Sequence, residues 1–147
     1  MPDGSFILHE GRGVGLDAKP CEMSGPFVRA DAARLPFRSG SFDNVVAMEV
    51  LEHVEDPAAV MTEIRRVLKD GGTFVMSVPR ETPAWNFFWF FWERTAGRFW
   101  KGTHLGGVPH HEWPRLLARH FSPGRRAVSL GYNAIFQAAK TPDRGNS

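Results

Sequence analysis

The stretch from Phe42 to Pro79 leaves the chain little freedom in how it can fold. "FDNVVAME" (Phe42 to Glu49) is dense in apolar and β-branched residues and reads as a buried strand. Asp56 then stands as a good N-cap with Pro57 at the first helical position, and Val60, Met61, Ile64, Val67 and Leu68 fall on one apolar face. Gly71-Gly72 is expected to stop that helix, and "TFVMSVP" (Thr73 to Pro79) reads as a second buried strand. Two more strand-like blocks come earlier, "RGVGLDA" (Arg12 to Ala18) and "PFVRADA" (Pro26 to Ala32), each closing on an aspartate. Apolar blocks alternating with helical patterns imply an α/β architecture with a mostly parallel sheet. Near the end, "AVSLGY" and "AIFQAAK" look like an antiparallel pair joined near Asn133.

At 147 residues and 42% hydrophobic, the chain holds enough apolar material for one compact domain. Residues 1–140 are expected to form that domain and 141–147 a polar tail. The net charge of +2 is too small to argue for a nucleic-acid partner, and no recognisable nucleic-acid motif accompanies it. A single Cys21 excludes an intramolecular disulfide and fits a reducing compartment. The first residues, with Asp3 and Glu10, do not read as a secretory signal, and a cytoplasmic location is the expectation.

Residues 83–122 differ in character from the rest. Between Trp85 and Trp100 stand four Trp and five Phe, more rings than one buried helical face can hold. From Glu93 to Arg126, seven Lys/Arg stand against two Glu. This aromatic, basic insert reads as a lid over a substrate site, with Trp85, Trp89, His104, His110 and His111 as candidate substrate contacts. Such a lid would admit an apolar or amphipathic small molecule, lipid-like or quinone-like. Peripheral docking on a membrane surface is the related variant. His111 to His120 reads as a short helix. "HLGGVPHH" lacks the cysteine or well-spaced carboxylate that would complete a zinc site, so no metal is expected. Arg65, Arg66 and Lys69 read as a solvated helix face.

In order and spacing, "GLDA", "RADAARLPFRSGSFDNVVAMEVLEHVEDP" and "EIRRVLKDGGTFVMSVP" resemble the class I S-adenosylmethionine-dependent methyltransferases, specifically the small type 11 group. The resemblance runs from about Gly4 to Pro79 and is most specific from Asp31 to Gly72. It implies a Rossmann-like, mostly parallel twisted sheet with helices on both faces and a C-terminal antiparallel strand pair. It also implies S-adenosyl-L-methionine as cofactor and methyl transfer to a small-molecule acceptor by in-line displacement. By the same resemblance, Asp17, with Ala18 beside it, would accept the ribose hydroxyls. Asp31 would accept the adenine amine while the Ala32 N–H meets a ring nitrogen, and Gly4 and Glu49 would lie at the methionine end. Taken singly, Asp17 and Asp31 could as well cap turns, a common task for aspartate. Glu49 and His53 are the candidate acid–base groups, needed only if the acceptor must lose a proton. His53 could equally brace a loop.

The opening "MPDGSF" departs from that pattern. Gly4 takes the place of the last glycine of the family's Gly-rich turn, and Asp3 to Phe6 reads as turn into helix. The first strand and the earlier glycines are expected to be missing, an N-terminal truncation that would leave two inner sheet edges unpaired. The nine residues from Ala18 to Pro26 are also short for a parallel crossover, which implies a helix-poor connection and an open adenine side. A non-catalytic methyltransferase-like module that binds a partner or membrane surface is the alternative from a different class. A nicotinamide-binding domain is disfavoured, since no complete G-x-G-x-x-G follows a strand.

Overall fold

The structure is a computed structural model that describes residues 6–10, 12–19, 25–80, 108–129 and 133–142. Along the described chain run β1 (Phe6–Glu10), β2 (Arg12–Asp17), β3 (Phe27–Arg29), β4 (Phe42–Met48) and α1 (Pro57–Val67). They are followed by β5 (Leu68–Pro79), α2 (Trp113–His120), β6 (Ser122–Ser129) and β7 (Asn133–Ala139). The described strands make one sheet in the order β3-β2-β1-β4-β5-β7-β6. The α/β architecture and the closing antiparallel pair are as the sequence implies, but the sheet is mixed. β2–β3 and β4–β5 are parallel, while β1 runs antiparallel to both of its neighbours.

That central strand corrects the reading of Phe6 as entry into a helix. Phe6–Glu10 is a strand, paired on one side with β2 (Phe6 opposite Leu16, Glu10 opposite Arg12) and on the other with β4 (Phe6 opposite Ala47, His9 opposite Asn44). The slot between β2 and β4, expected to stand open, is therefore filled. A helix here would leave the inner edges of β2 and β4 with unpaired N–H and C=O groups, whereas a strand satisfies both edges at once. The nearest sequence neighbour of β2 does this with little loop to close.

Asp56 caps α1 by accepting from Ala58 N and Ala59 N, both at 3.0 Å, and Pro57 opens the helix. The helix ends earlier than its glycines. Leu68 turns extended (φ −70°, ψ 140°) while its N–H still reaches Ile64 O. Gly71 and Gly72 lie inside β5, where the partner register jumps from Phe42–Leu68 to Asn44–Thr73. Gly71 sits at φ 77°, and a Cβ on Gly72 would come within 2.8 Å of Lys69 O and 3.0 Å of Asp43 O. The pair shapes a bulge rather than stopping a helix. β6 begins before "AVSLGY", at Ser122, with an irregular register between Pro123 and Arg126.

Leu16, Val45, Ile64, Phe74, Met76 and Val78 are completely buried and form the centre of the core. Phe74 meets Phe121, beyond α2, with ring centroids 5.1 Å apart. α1 and α2 pack against each other, and the expectation of helices on both faces otherwise falls partly on residues 81–107, outside the described residues.

Arg65 and Arg66 of α1 do more than face solvent, and Lys69 falls in β5 rather than on the helix. Arg65 donates to His120 O (2.9 Å) and Thr141 O (3.0 Å), tying α1 to the far end of α2 and to the chain beyond β7. Arg66 donates to Leu35 O (2.9 Å) and Phe37 O (2.8 Å), and its guanidinium is gripped by Glu63, which also accepts from Leu35 N (2.9 Å). Lys69 pairs with Asp43 at 3.1 Å. Cationic ends that can reach backbone carbonyls of a neighbouring loop are used there, and helical spacing alone does not show which loop is in reach.

Candidate active site

β2, β3, β4 and β5 all run in the same direction, so they finish on one edge of the sheet, and β1 enters at that same edge. In open α/β sheets this edge is where ligands lie. The strand ends place Asp17, Asp31 and Glu49 there: Asp17 closes β2, Asp31 follows β3 by two residues and Glu49 follows β4.

Asp17 is half-buried, and its Oδ1 accepts from Lys19 N at 2.8 Å. Asp31 is exposed, and its Oδ1 accepts from Ala33 N at 2.9 Å. Both therefore cap turns, and both do so at the edge where a ligand would bind. Ala18 is exposed and its carbonyl accepts from Arg29 Nε at 3.0 Å; Ala32 is buried. The loop after Ala32 is held by the Glu63–Arg66 bracket, which lowers the Glu63 carboxyl from its ordinary range through its hydrogen bond to Arg66. A helix side chain thus sets the position of the segment that follows Asp31.

Glu49 sits where β4 breaks. It adopts φ 53°, the left-handed region that an L-residue occupies only under constraint. The constraint comes from β5. Glu49 N donates to Ser77 O (3.2 Å) and Ser77 Oγ (3.1 Å), and Ser77 Oγ donates back to Glu49 Oε1 at 2.5 Å. Next to it, the 3-10 turn Leu51–His53 carries Glu52, only 7% exposed. Burial above all pushes the Glu52 carboxyl up to about 8, and the nearby Glu49 carboxylate adds to the effect. His53 is partly exposed, with Nε2 3.9 Å from Glu52 Oε1. Met48, just before Glu49, is 39% exposed, unusual for a large apolar residue of a central strand.

The structure so brings Asp17, Ala18, Asp31, Ala32, Glu49 and His53 to one edge. His110 and His111 lie in the 3-10 turn that opens α2, where His111 is largely exposed. Gly4, Trp85, Trp89 and His104 lie outside the described residues, as does most of the Ala18 to Pro26 connection. Sequence reasoning missed Glu52 and Ser77. The available signals were a second carboxylate three residues after Glu49 and a lone serine inside the apolar run "FVMSVP".

The acidic side chains at or just past the ends of β2, β3 and β4 are hydrogen-bond acceptors of the kind an adenosyl cofactor would need. Residues 12–76 match the family model described as a methyltransferase domain. The chain is 49% identical over 47 residues to a ubiquinone biosynthesis O-methyltransferase of Xanthomonas oryzae pv. oryzae, covering 32% of this chain and 20% of that protein. It is 39% identical over 72 residues to a methyltransferase of Mycobacterium sp. (strain KMS), covering 44% of this chain and 29% of that protein. The alignments thus span less than a third of the length of these curated relatives. Its fold resembles the complex between a Haloferax volcanii methyltransferase activator and a methyltransferase, with TM-score 0.68, 20% identity, and coverage of 90% of this chain and 73% of that one. Residues 12–76 thus match a methyltransferase domain, and the fold around them resembles that of a solved methyltransferase.

Proposed function

We propose that this chain binds S-adenosylmethionine across the ends of β2, β3 and β4 and methylates a small apolar or amphipathic acceptor. The observation that carries the reading is the convergence of Asp17, Asp31 and Glu49 on one sheet edge, each at a strand end. Asp17 would take the ribose hydroxyls, Asp31 the adenine amine and Ala32 N a ring nitrogen, with Ala18 beside them. Gly4 and Glu49 would lie toward the methionine end. The cofactor supplies a methyl group already activated on a sulfonium, so the protein's work is alignment and exclusion of water rather than activation of a nucleophile. Where the acceptor must lose a proton, Glu49 and His53 would be the groups to take it.

An oxygen acceptor on a quinone-like or lipid-like molecule is favoured by the likeness to a ubiquinone biosynthesis O-methyltransferase and by the aromatic, basic composition of residues 83–122. In that reading Trp85, Trp89, His104, His110 and His111 line the acceptor side, and the segment meets a membrane surface from the cytoplasmic side. No helix among the described residues is long and apolar enough to cross a membrane. Co-sedimentation with anionic liposomes tests the surface contact, and absence of binding removes it.

Calorimetry with S-adenosylmethionine and S-adenosylhomocysteine tests the cofactor assignment. Binding of both, weakened about 10-fold or more by Asp17→Ala, is expected from the loss of charge-assisted hydrogen bonds worth about 1.5–3 kcal/mol. Failure to bind either ligand would overturn the reading in favour of a methyltransferase-like module that acts through a partner.

A further inference from the structure

Every N–H donor of the Arg66 guanidinium is engaged, although the proposed chemistry makes no use of this residue. Nε donates to Glu63 Oε1 at 2.8 Å. One terminal nitrogen donates to Phe37 O (2.8 Å) and Ser39 Oγ (3.3 Å), the other to Leu35 O (2.9 Å) and Glu63 Oε2 (2.9 Å). Glu63 Oε2 also accepts from Leu35 N at 2.9 Å. A single ion pair on α1 thus holds Leu35 at both its N–H and its carbonyl, as a neighbouring strand would. The far end of the same loop returns to α1, where Gly40 N donates to Arg66 O (2.9 Å) and Ser41 N to Val67 O (2.8 Å).

What this clamp steadies is the turn that carries Asp31 and Ala32. The turn closes on itself through Arg34 N to Asp31 O (3.0 Å) and Ala33 N to Asp31 Oδ1 (2.9 Å). Upstream it hangs from β3, three residues long and the outermost described strand on its side of the sheet, with Ala30 N donating to Asp17 O at 3.1 Å. Downstream it ends on Leu35, buried and clamped. So short a strand at the border of a sheet is a poor anchor, because few contacts oppose its local opening. The placement of Asp31 relative to Asp17 therefore depends on α1.

We propose that Arg66, oriented by Glu63, is a positioning residue for the base end of the cofactor: by clamping Leu35 and Phe37 it fixes the Asp31–Ala32 turn, and so sets the selectivity for a base that offers an amine over one that offers a carbonyl. This role rests on the adenosyl reading above, whereas the clamp itself does not. An exocyclic amine donates to the Asp31 carboxylate. A carbonyl in its place sets acceptor against acceptor, and the penalty is felt in full only where the turn cannot shift to avoid it. Lysine at position 66 would keep the charge but lose the planar fork that grips Glu63 and two carbonyls together.

Hydrogen exchange on the ligand-free chain reads the clamp. The Leu35 amide is expected to exchange about 10-fold faster in Arg66→Lys, while the amides of Val45 and Val75 in the central strands keep their protection. Unchanged exchange at Leu35 would overturn the clamp. Should Arg66→Lys fail to fold, Glu63→Gln, which leaves one acceptor oxygen of two, takes its place in both measurements.

Calorimetry with S-adenosylhomocysteine and S-inosylhomocysteine reads the selectivity. The unsubstituted chain is expected to prefer the adenosyl ligand by about 10-fold or more, and Arg66→Lys by about 3-fold or less. A role confined to folding would weaken both ligands alike, so an unchanged ratio would overturn the proposal, as would equal binding of the two ligands by the unsubstituted chain. Failure of the unsubstituted chain to bind either ligand would overturn the functional reading and the base-end role with it, while exchange at Leu35 still decides the clamp.

Discussion

Ser77 is 1% exposed and stands within the apolar run "FVMSVP" that ends β5. Its hydroxyl accepts from Glu49 N and donates to Glu49 Oε1, so one oxygen ties the backbone and the side chain of the residue at φ 53°. Ser77→Ala leaves the bond from Glu49 N to the Ser77 carbonyl but removes the other two. We expect a loss of about 1–3 kcal/mol in urea denaturation, the range for stranding buried polar groups. Cofactor affinity should fall with it, because Glu49 is then free to leave the crevice. Asp17 and Asp31 are a different case at this scale: each caps a turn through Oδ1 while standing at a strand end. The capping and ligand roles weighed as alternatives in the sequence are compatible in space, since capping as described engages one oxygen of two.

Among the elements, α1 follows its sequence signals closely at the start and departs from them at the end. Asp56→Ala removes the acceptor for Ala58 N and Ala59 N and should cost about 1 kcal/mol, read as a lowered urea midpoint. The end of α1 is set by tertiary pairing: Leu68 is drawn into β5 opposite Phe42, three residues before the glycines. β1 is the element whose identity changed altogether. Leu8 pairs with Val14 on one side and Val45 on the other, and a proline there removes a ladder donor from a strand bonded on both edges. Leu8→Pro should therefore abolish cooperative unfolding or lower its midpoint sharply. A wild-type transition in that variant would show that β1 does not hold the centre of the sheet.

For the whole molecule, the sheet edge that carries the candidate site is joined to the core by buried groups. Phe74 is completely buried between Phe121 and the rest of the core, and Phe74→Ala should cost about 3–5 kcal/mol. The pH dependence of folding carries the imprint of Glu52. Its folded value near 8 lies above the ordinary 4.5, so the folded chain holds the proton more tightly than the unfolded one. Its contribution is complete below about 4.5 and is lost as pH rises through about 8. Denaturation midpoints should decline over that interval.

The sequence by itself determined what is local. The N-cap at Asp56, the apolar face of α1, the β-branched run of β4 and the aspartates closing β2 and β3 are each written in a few consecutive residues, because caps, periodicity and turns act over one or two turns of chain. Those same residues carried the family resemblance and, through it, the expected cofactor. What only the tertiary structure decided is what non-adjacent groups require of one another. Phe6–Glu10 became a strand because two distant edges needed partners, and Arg66 became a bracket because the carbonyls of Leu35 and Phe37 came within reach. The Glu52 carboxyl is pushed up because the turn after β4 buries it. Backbone satisfaction and desolvation are properties of the assembled fold, and no short stretch of sequence contains them.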